Sequence, residues 1–460
     1  MTATAGLRRT SPAPPVRMVH LGLGNFFRAH QAWYTHHANR GLPAGQQWGI
    51  AAFSGRSATT AQQLQQQDGL YTLLVDGPEG SKAEVVESLV AAHPGTDLAS
   101  WHRYLADPVV AVLTLTVTEA GYRVDADGDL DLEDAQVAAD LAAWRAGRCH
   151  ELVTAPVRIA SGLAARRAAG AGGLSVVPCD NLPGNGVTAR RVVLGAADAV
   201  DPALARWIDA EVTFISTAVD RITPRPGPDD ILLAAALTGC EDPTTVVTEP
   251  FAEWDLAGDF DAGRPAWHEV GAHVVADVGP YERRKLRLLN GAHSLLAYAG
   301  GIRGHRTVAA AMADAEVAAW VEQWWELAAP TLTLPQATSR DYVQALRTRF
   351  ANPAIRHHLE QIAADGSQKL PVRFVPVLRE VTADGSPADG ALRAVAAWVL
   401  HARGAGVPFS DTGAAEVRAL VSGELSEAMA RVLRRWDLDP ALTTRAVALA
   451  DEVAGAEPDA

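Results

Sequence analysis

Cysteine is scarce in this sequence. Cys149, Cys179 and Cys240 are the only three in 460 residues, they lie far apart, and no CxxC pair exists. That excludes a disulfide scaffold and a cysteine-built zinc site, and it points to a reducing compartment, so a cytoplasmic location is expected. Long apolar runs are missing too, and none reaches the length of a membrane span. Residues 1–15 hold Arg8, Arg9 and several prolines without an apolar core, which predicts a short disordered tail and no signal peptide. Basic charge is in deficit, with 40 Lys and Arg against 54 Asp and Glu and a formal net charge of -14. A general binder of nucleic acid or anionic membranes is thereby excluded. Neither a G-x-S-x-G elbow nor a P-loop occurs.

What is present is a globular composition, 48% hydrophobic and 20% charged, in a chain long enough for two or three domains. Apolar runs at 16–22, 48–53, 109–117, 174–177 and 212–215 read as buried strands. Helical stretches, at 28–39, 136–145 and 154–169, lie between them. Strands alternating with helices predict an α/β domain with a mostly parallel sheet covered on both faces. Beyond about residue 275 the pattern turns helical, clearest at 307–327, 414–434 and 443–453. The expected organisation is a tail at 1–15, a nucleotide-binding domain at 16–275 and a helical domain at 276–460.

His20-Leu-Gly22-Leu-Gly24-Asn-Phe-Phe27-Arg28 follows the first strand and opens a helix. A dinucleotide pyrophosphate rests in that context, with Gly22 making the tight turn and Gly24 letting the backbone come close. Phe27 stands where a third glycine is usual, so a plain strand-turn-helix is the competing reading. The acid that commonly follows the second strand is missing, and Ser54-Gly55-Arg56 stands there, which leaves NADP open.

A second dense segment is Tyr281-Glu-Arg-Arg-Lys-Leu-Arg-Leu-Leu-Asn-Gly-Ala-His293. At about 100° per α-helical residue, with Lys285 at zero, Glu282 falls near ~60°, His293 near ~80° and Asn290 near ~140°. One face then offers a carboxylate, an amine, an imidazole and an amide. An amine among such groups can take a proton from an alcohol while amide and imidazole hold the oxygen. Leu286 and Leu289 share the arc, so a half-buried helix with solvated cations fits the periodicity equally.

Polar turns also follow predicted strands at Thr116-Val-Thr-Glu119-Ala-Gly-Tyr122, at Pro178-Cys-Asp-Asn181 and at Val219-Asp220-Arg221-Ile-Thr-Pro224. Ligands bind at such positions in open parallel sheets, although each is also ordinary turn chemistry. Tyr281 and Lys285 match the Y-x-x-x-K of short-chain dehydrogenases, but the place of their serine holds His268 and the chain is far longer. His30 and His37 lie on one predicted helix without a carboxylate partner, and His36 and His37 diverge, so no metal is expected.

Taken together, these segments resemble the polyol-specific long-chain dehydrogenases, the family of mannitol 2-dehydrogenase, arabinitol dehydrogenase and fructuronate reductase. The resemblance runs through Gly22-Leu-Gly24-Asn-Phe26-Phe-Arg28-Ala-His30, Gln67-Asp68-Gly-Leu-Tyr71, Thr118-Glu119-Ala-Gly-Tyr122, Cys179-Asp-Asn181, Asp220-Arg221, Thr248-Glu-Pro-Phe251, Lys285-x-Arg-x-x-Asn290-x-x-His293 and Asp365-Gly-Ser-Gln-Lys369-Leu-Pro371. It implies a Rossmann-like N-terminal domain followed by a mainly α-helical C-terminal domain. Lys285 would be the general base, and Asn290 and Asn181 would hold the alkoxide. His293 would position a neighbouring hydroxyl, and Glu282 and Glu119 would pass the proton to water. Asp220 and Lys369 would bind distal hydroxyls. Gly22, Gly24, Asn25, Phe26, Arg28 and Thr116 would hold the dinucleotide. Asp68 would take the adenosine ribose and favour NAD over NADP. The family uses no metal. The sequence departs from it at Phe27, commonly histidine, at Ala120, and in a somewhat short C-terminal tail.

The expected activity is therefore D-mannitol + NAD to D-fructose + NADH. Fructuronate reductase is the runner-up, because Lys369 or Arg373 would meet a sugar-acid carboxylate, and another polyol dehydrogenase such as an arabinitol enzyme is a further possibility. A dinucleotide sensor without turnover is the reading outside this class. The expected partner is a small polyol or sugar acid, and the expected state is a monomer or small homo-oligomer.

Overall fold

The computed structural model describes residues 5–55, 57–383 and 385–455. The chain divides into two compact units between Gly279 and Pro280.

The first unit is built on six parallel strands: β1 Val16–Leu21, β2 Gly49–Phe53, β3 Leu89–His93, β4 Val112–Leu115, β5 Ser175–Pro178 and β6 Thr213–Phe214. Their order across the sheet is β3-β2-β1-β4-β5-β6. It reverses direction at β1, so a crevice opens between the β1 and β4 ends where dinucleotides bind in doubly wound folds. Side chains alternate between faces along each strand. Val19 and Leu21 of β1 pack with Trp101, Leu105, Leu163 and Val193 on one side. Met18 joins Ile50, Val112, Phe27 and Tyr34 on the other. Both faces are dry, which explains why the central strands read as unbroken apolar runs. A second sheet pairs the hairpin Tyr71–Gly77/Gly80–Val86 with Val246–Thr248. A third holds β7 Ser216–Asp220, β8 Glu253–Ala257 and β9 His273–Val274.

Several expectations need correction. Residues from Ala5 to 15 are not a disordered tail. Ala5–Gly6 pairs in parallel with Cys240–Glu241, Leu7 is buried, and the Arg9 guanidinium donates to the carbonyls of Glu87 and Leu89 at 2.9 Å each. The predicted helix at 28–39 is two helices, Asn25–Ala29 and Gln31–Ala38, broken at His30, whose Nε2 lies 2.9 Å from the Glu253 carbonyl. The 307–327 stretch splits into Val308–Met312 and Ala315–Ala328, because Asp314 caps the second by accepting from the Glu316 and Val317 amides.

The second unit is helical. Its centre runs from Gly279 to Gly300 through the helix Gly279–Arg284, a π-helical turn Lys285–Asn290, the helix Gly291–Leu295 and a second π turn Leu296–Gly300. Every residue from 291 to 300 is buried. Ala315–Ala328 and Asp389–Ala402 pack against this segment. Among the described residues no helix is long and apolar enough to cross a membrane.

Candidate active site

The glycine turn is set by the end of β4. Gly22 has φ +110°, and a Cβ there would sit 2.2 Å from the Thr116 carbonyl oxygen, so only glycine fits. Thr116 donates its hydroxyl to the Gly22 carbonyl at 2.8 Å, and the Gly22 and Leu23 amides donate to Phe53 O at 2.9 and 3.0 Å. A Cβ on Gly24 would meet nothing closer than 3.6 Å, which leaves its backbone open to close approach. Beneath the turn Phe27 stacks on His20 with ring centroids 3.6 Å apart. The absent third glycine is thus replaced by an aromatic floor. His20 is held by Thr114 at 2.8 Å, and burial pushes its imidazole down to about 3, so it is neutral. The turn fits a pyrophosphate.

Arg28 is committed to the protein. It is 4% exposed, donates to Asn25 Oδ1 at 2.8 Å and to the Thr244 carbonyl, and lies over the Tyr71 ring. Its part in the turn is to fix Asn25. Phe26 stacks on His30.

Asp68 comes from the loop after the helix Thr59–Gln66. Gly69 abuts the Leu89 carbonyl at the amino end of β3, level with Ile50 at the start of β2. Gly22 instead bonds to Phe53 at the carboxyl end of β2. The strand residues between these levels span about 10 Å at ~3.3 Å per residue. Asp68 faces the N-terminal segment, accepting from the Arg9 amide at 3.2 Å with Arg8 at 3.6 Å. Asp68 nonetheless lines one cavity with Gln65 and with His93, which stands at the carboxyl end of β3 opposite Phe53. Arg56, the alternative cofactor discriminator, lies outside the described residues.

The rim carries the remaining first-unit candidates. Glu119 is exposed on the turn Glu119–Tyr122 after β4, and Asn181 is exposed in the loop after β5. Asp220 ends β7, is 4% exposed, and is the cross-strand partner of Glu253. Its neighbour Arg221 is spent on the carbonyls of Glu249 and Ala29 and on the face of Trp33. Glu253, Asp255 and His273 bring donor atoms within 4.8 Å of one another. His273 Nδ1 lies 3.0 Å from the buried Asp255 carboxylate, an ordinary imidazole–carboxylate pair.

In the second unit, Lys285 and Asn290 bound the π turn, and His293 follows it. The uniform α-helical spacing used to place these groups on one face is therefore corrected. The Gly291 amide reaches back to Leu286 O, five residues rather than four. The cause lies 37 residues downstream. Trp324 and Trp325 donate their indole N–H groups to Arg287 O and Leu288 O, each at 2.9 Å. Gly291 admits the first indole, since a Cβ there would lie 2.7 Å from the Trp324 ring. π turns of this kind often mark functional sites. Lys285, Glu282 and Asn290 are half-buried. His293 is buried and stacks on Phe350 at 4.6 Å.

Arg373, the candidate carboxylate ligand, is half-buried. It donates to the Asn290 carbonyl at 3.0 Å and to Ser294 Oγ at 2.7 Å, while its Nε is buried without a hydrogen-bond partner. Lys369, one turn earlier on Gly366–Arg373, donates to Ile362 O at 3.1 Å, and burial and then Arg373 lower its pKa.

Both units match known proteins. The family model described as Mannitol dehydrogenase Rossmann domain matches residues 16–269, and that described as Mannitol dehydrogenase C-terminal domain matches 277–438. D-mannonate oxidoreductase of Escherichia coli (strain K12) is 39% identical over 401 residues, covering 84% of this chain and 80% of that protein. A solved D-sorbitol dehydrogenase in substrate-free form superposes with a TM-score of 0.87 at 30% identity, covering 99% and 98% of the two chains. The Pseudomonas fluorescens mannitol 2-dehydrogenase ternary complex with NAD and D-mannitol does so with a TM-score of 0.78 at 33% identity, covering 99% and 94%.

Proposed function

The chain belongs to the mannitol dehydrogenase family and is an oxidoreductase acting on CH–OH groups, and from that premise we propose that it oxidises the secondary alcohol of a neutral sugar alcohol, D-mannitol to D-fructose, with NAD. The observation that carries the reading is the π turn, bounded by half-buried Lys285 and Asn290 and followed by buried His293.

The bound nicotinamide supplies the hydride acceptor, and Gly22, Gly24, Asn25 and Thr116 would hold the dinucleotide. Lys285 Nζ takes the hydroxyl proton, for which it must first be neutral. The Asn290 and Asn181 carboxamides donate to the developing alkoxide, stabilising charge that exists only as the reaction proceeds. His293 orients the adjacent hydroxyl. Glu282 and Glu119 return the lysine proton to water. Asp220 and Lys369 take distal hydroxyls. No step calls for a metal. The NAD preference rests on Asp68, which would take the adenosine ribose, and on likeness to the mannitol enzyme solved with NAD.

The neutral substrate is supported by Asp220 and Glu253, cross-strand partners on one sheet face, with Asp255 two residues along β8. A carboxylate-rich face accepts hydroxyls and repels a sugar acid. One observation favours the second reading, fructuronate reduction. The buried Nε of Arg373 has no hydrogen-bond partner and Lys369 lies beside it, which would suit a carboxylate, as would likeness to D-mannonate oxidoreductase.

Changing Lys285 to Ala tests the base. The expected loss in kcat is about 10²-fold or more, with NADH binding retained. A near-normal kcat would remove Lys285 from the scheme.

A further inference from the structure

On the reading above, Glu119 and Asn181 act from loops that follow β4 and β5. These strands are neighbours, with Leu115 paired to Pro178, so the loops leave the sheet side by side. What joins them is a pair of side chains that the reaction scheme does not use. The Tyr122 hydroxyl, at the end of the Glu119 turn, donates to the Asp180 carboxylate next to Asn181. Tyr122 is 2% exposed and its ring belongs to the core packed on the sheet, so it is a rigid post. Asp180 is gripped from its own side as well. Its second oxygen accepts the Leu182 amide at 3.1 Å, and its carbonyl accepts Asn185 Nδ2 at 3.3 Å. Asn185 is itself fixed to Thr217, which donates its amide to Oδ1 at 2.9 Å. Asn181 therefore sits between two anchored residues, Asp180 and Leu182.

We propose that Tyr122 and Asp180 form a positioning pair that fixes the Asn181 carboxamide for the alkoxide and holds the Glu119 turn in register with it. The inference rests on the alcohol-dehydrogenase reading of this rim. Charge supports it. Burial pushes the Asp180 carboxyl up to about 6, with Glu119 adding to the rise, while the donors Tyr122, Leu182 and Asn185 oppose it. At neutral pH the carboxylate is mostly charged and depends on those donors, the setting in which a hydrogen bond is strong and directional. A donor group misplaced by about 1 Å costs on the order of 10²-fold in rate.

The test uses the full chain with Tyr122→Phe, Asp180→Asn, Asp180→Ala and the double variant Tyr122→Phe/Asp180→Ala. Phenylalanine keeps the ring in the core and removes only the hydroxyl. The inference predicts that Tyr122→Phe lowers kcat by about tenfold or more, the worth of a hydrogen bond to a charged group, with KM for the dinucleotide unchanged. Asp180→Ala lowers it at least as far, the double variant no further, and Asp180→Asn recovers part of the rate because its carbonyl still accepts the phenol. A lowered Tm with normal kcat in Tyr122→Phe or Asp180→Ala would overturn the inference and leave a fold latch. Additive losses would overturn it equally. Wild type and Lys285→Ala serve as controls. A wild type inactive on polyols and sugar acids defeats the parent reading and this inference with it. An active wild type with inactive Lys285→Ala leaves these four variants to decide the pair alone.

Discussion

Replacing Trp324 by phenylalanine tests how the catalytic helix is shaped. Trp324 is fully buried and gives its indole N–H to Arg287 O at 2.9 Å. Phenylalanine fills most of the ring space and lacks the donor. A buried carbonyl deprived of a partner costs about 1–3 kcal/mol, which amounts to roughly 5- to 150-fold in the population of the widened turn, at about 1.4 kcal/mol per tenfold. The competing state is a regular α-helix, in which everything beyond the turn rotates by about 100°, one residue's worth. His293 would then turn by that angle from its present bearing relative to Lys285. The variant should therefore lose about tenfold or more in kcat, followed by nicotinamide absorbance. NADH binding, carried by the glycine turn of the other unit, should hold. Gly291→Ala should act in the same direction, since its Cβ would lie 2.7 Å from the same ring. A Trp324→Phe enzyme with lowered Tm and unchanged kcat would refute the argument and leave the indole a stability role only.

Two further predictions concern the first unit. His20 is held near 3 by burial against an ordinary 6.5, so the unfolded chain binds a proton that the folded chain refuses between those values. Its contribution to stability is full above about 6.5 and is lost as pH falls toward about 3. The Tm of wild type should decline over that window more steeply than that of His20→Gln, and equal slopes would count against it. Asp68→Ala should relax the preference for NAD over NADP in kcat/KM, because the cavity that Asp68 lines reaches His93 at the carboxyl end of β3. An unchanged ratio would remove Asp68 from the cofactor.

Much of the first unit was legible in the sequence because its strands are dry on both faces. Val16–Leu21, Gly49–Phe53 and Ser175–Pro178 stand as apolar runs between turn residues, and Gly22 announces its own conformation. Leu89–His93 escaped because its residues include two alanines and a histidine. The residues of the second-unit site were legible as a spacing, but their geometry was not. The π turn is imposed by indoles 37 residues away, and no local pattern reports a donor at that distance. Tyr122 and Asp180 were hidden for the same reason, since their bond depends on β4 and β5 being neighbours.

The central claim is oxidation of a neutral polyol. Its most direct test is kcat/KM for fructose against fructuronate, each with NADH and with NADPH. The account predicts turnover of fructose with NADH, and a preference for fructose over fructuronate. Fructuronate preferred by about tenfold or more, some 1.4 kcal/mol of transition-state binding, and equalised by Arg373→Ala, would contradict it.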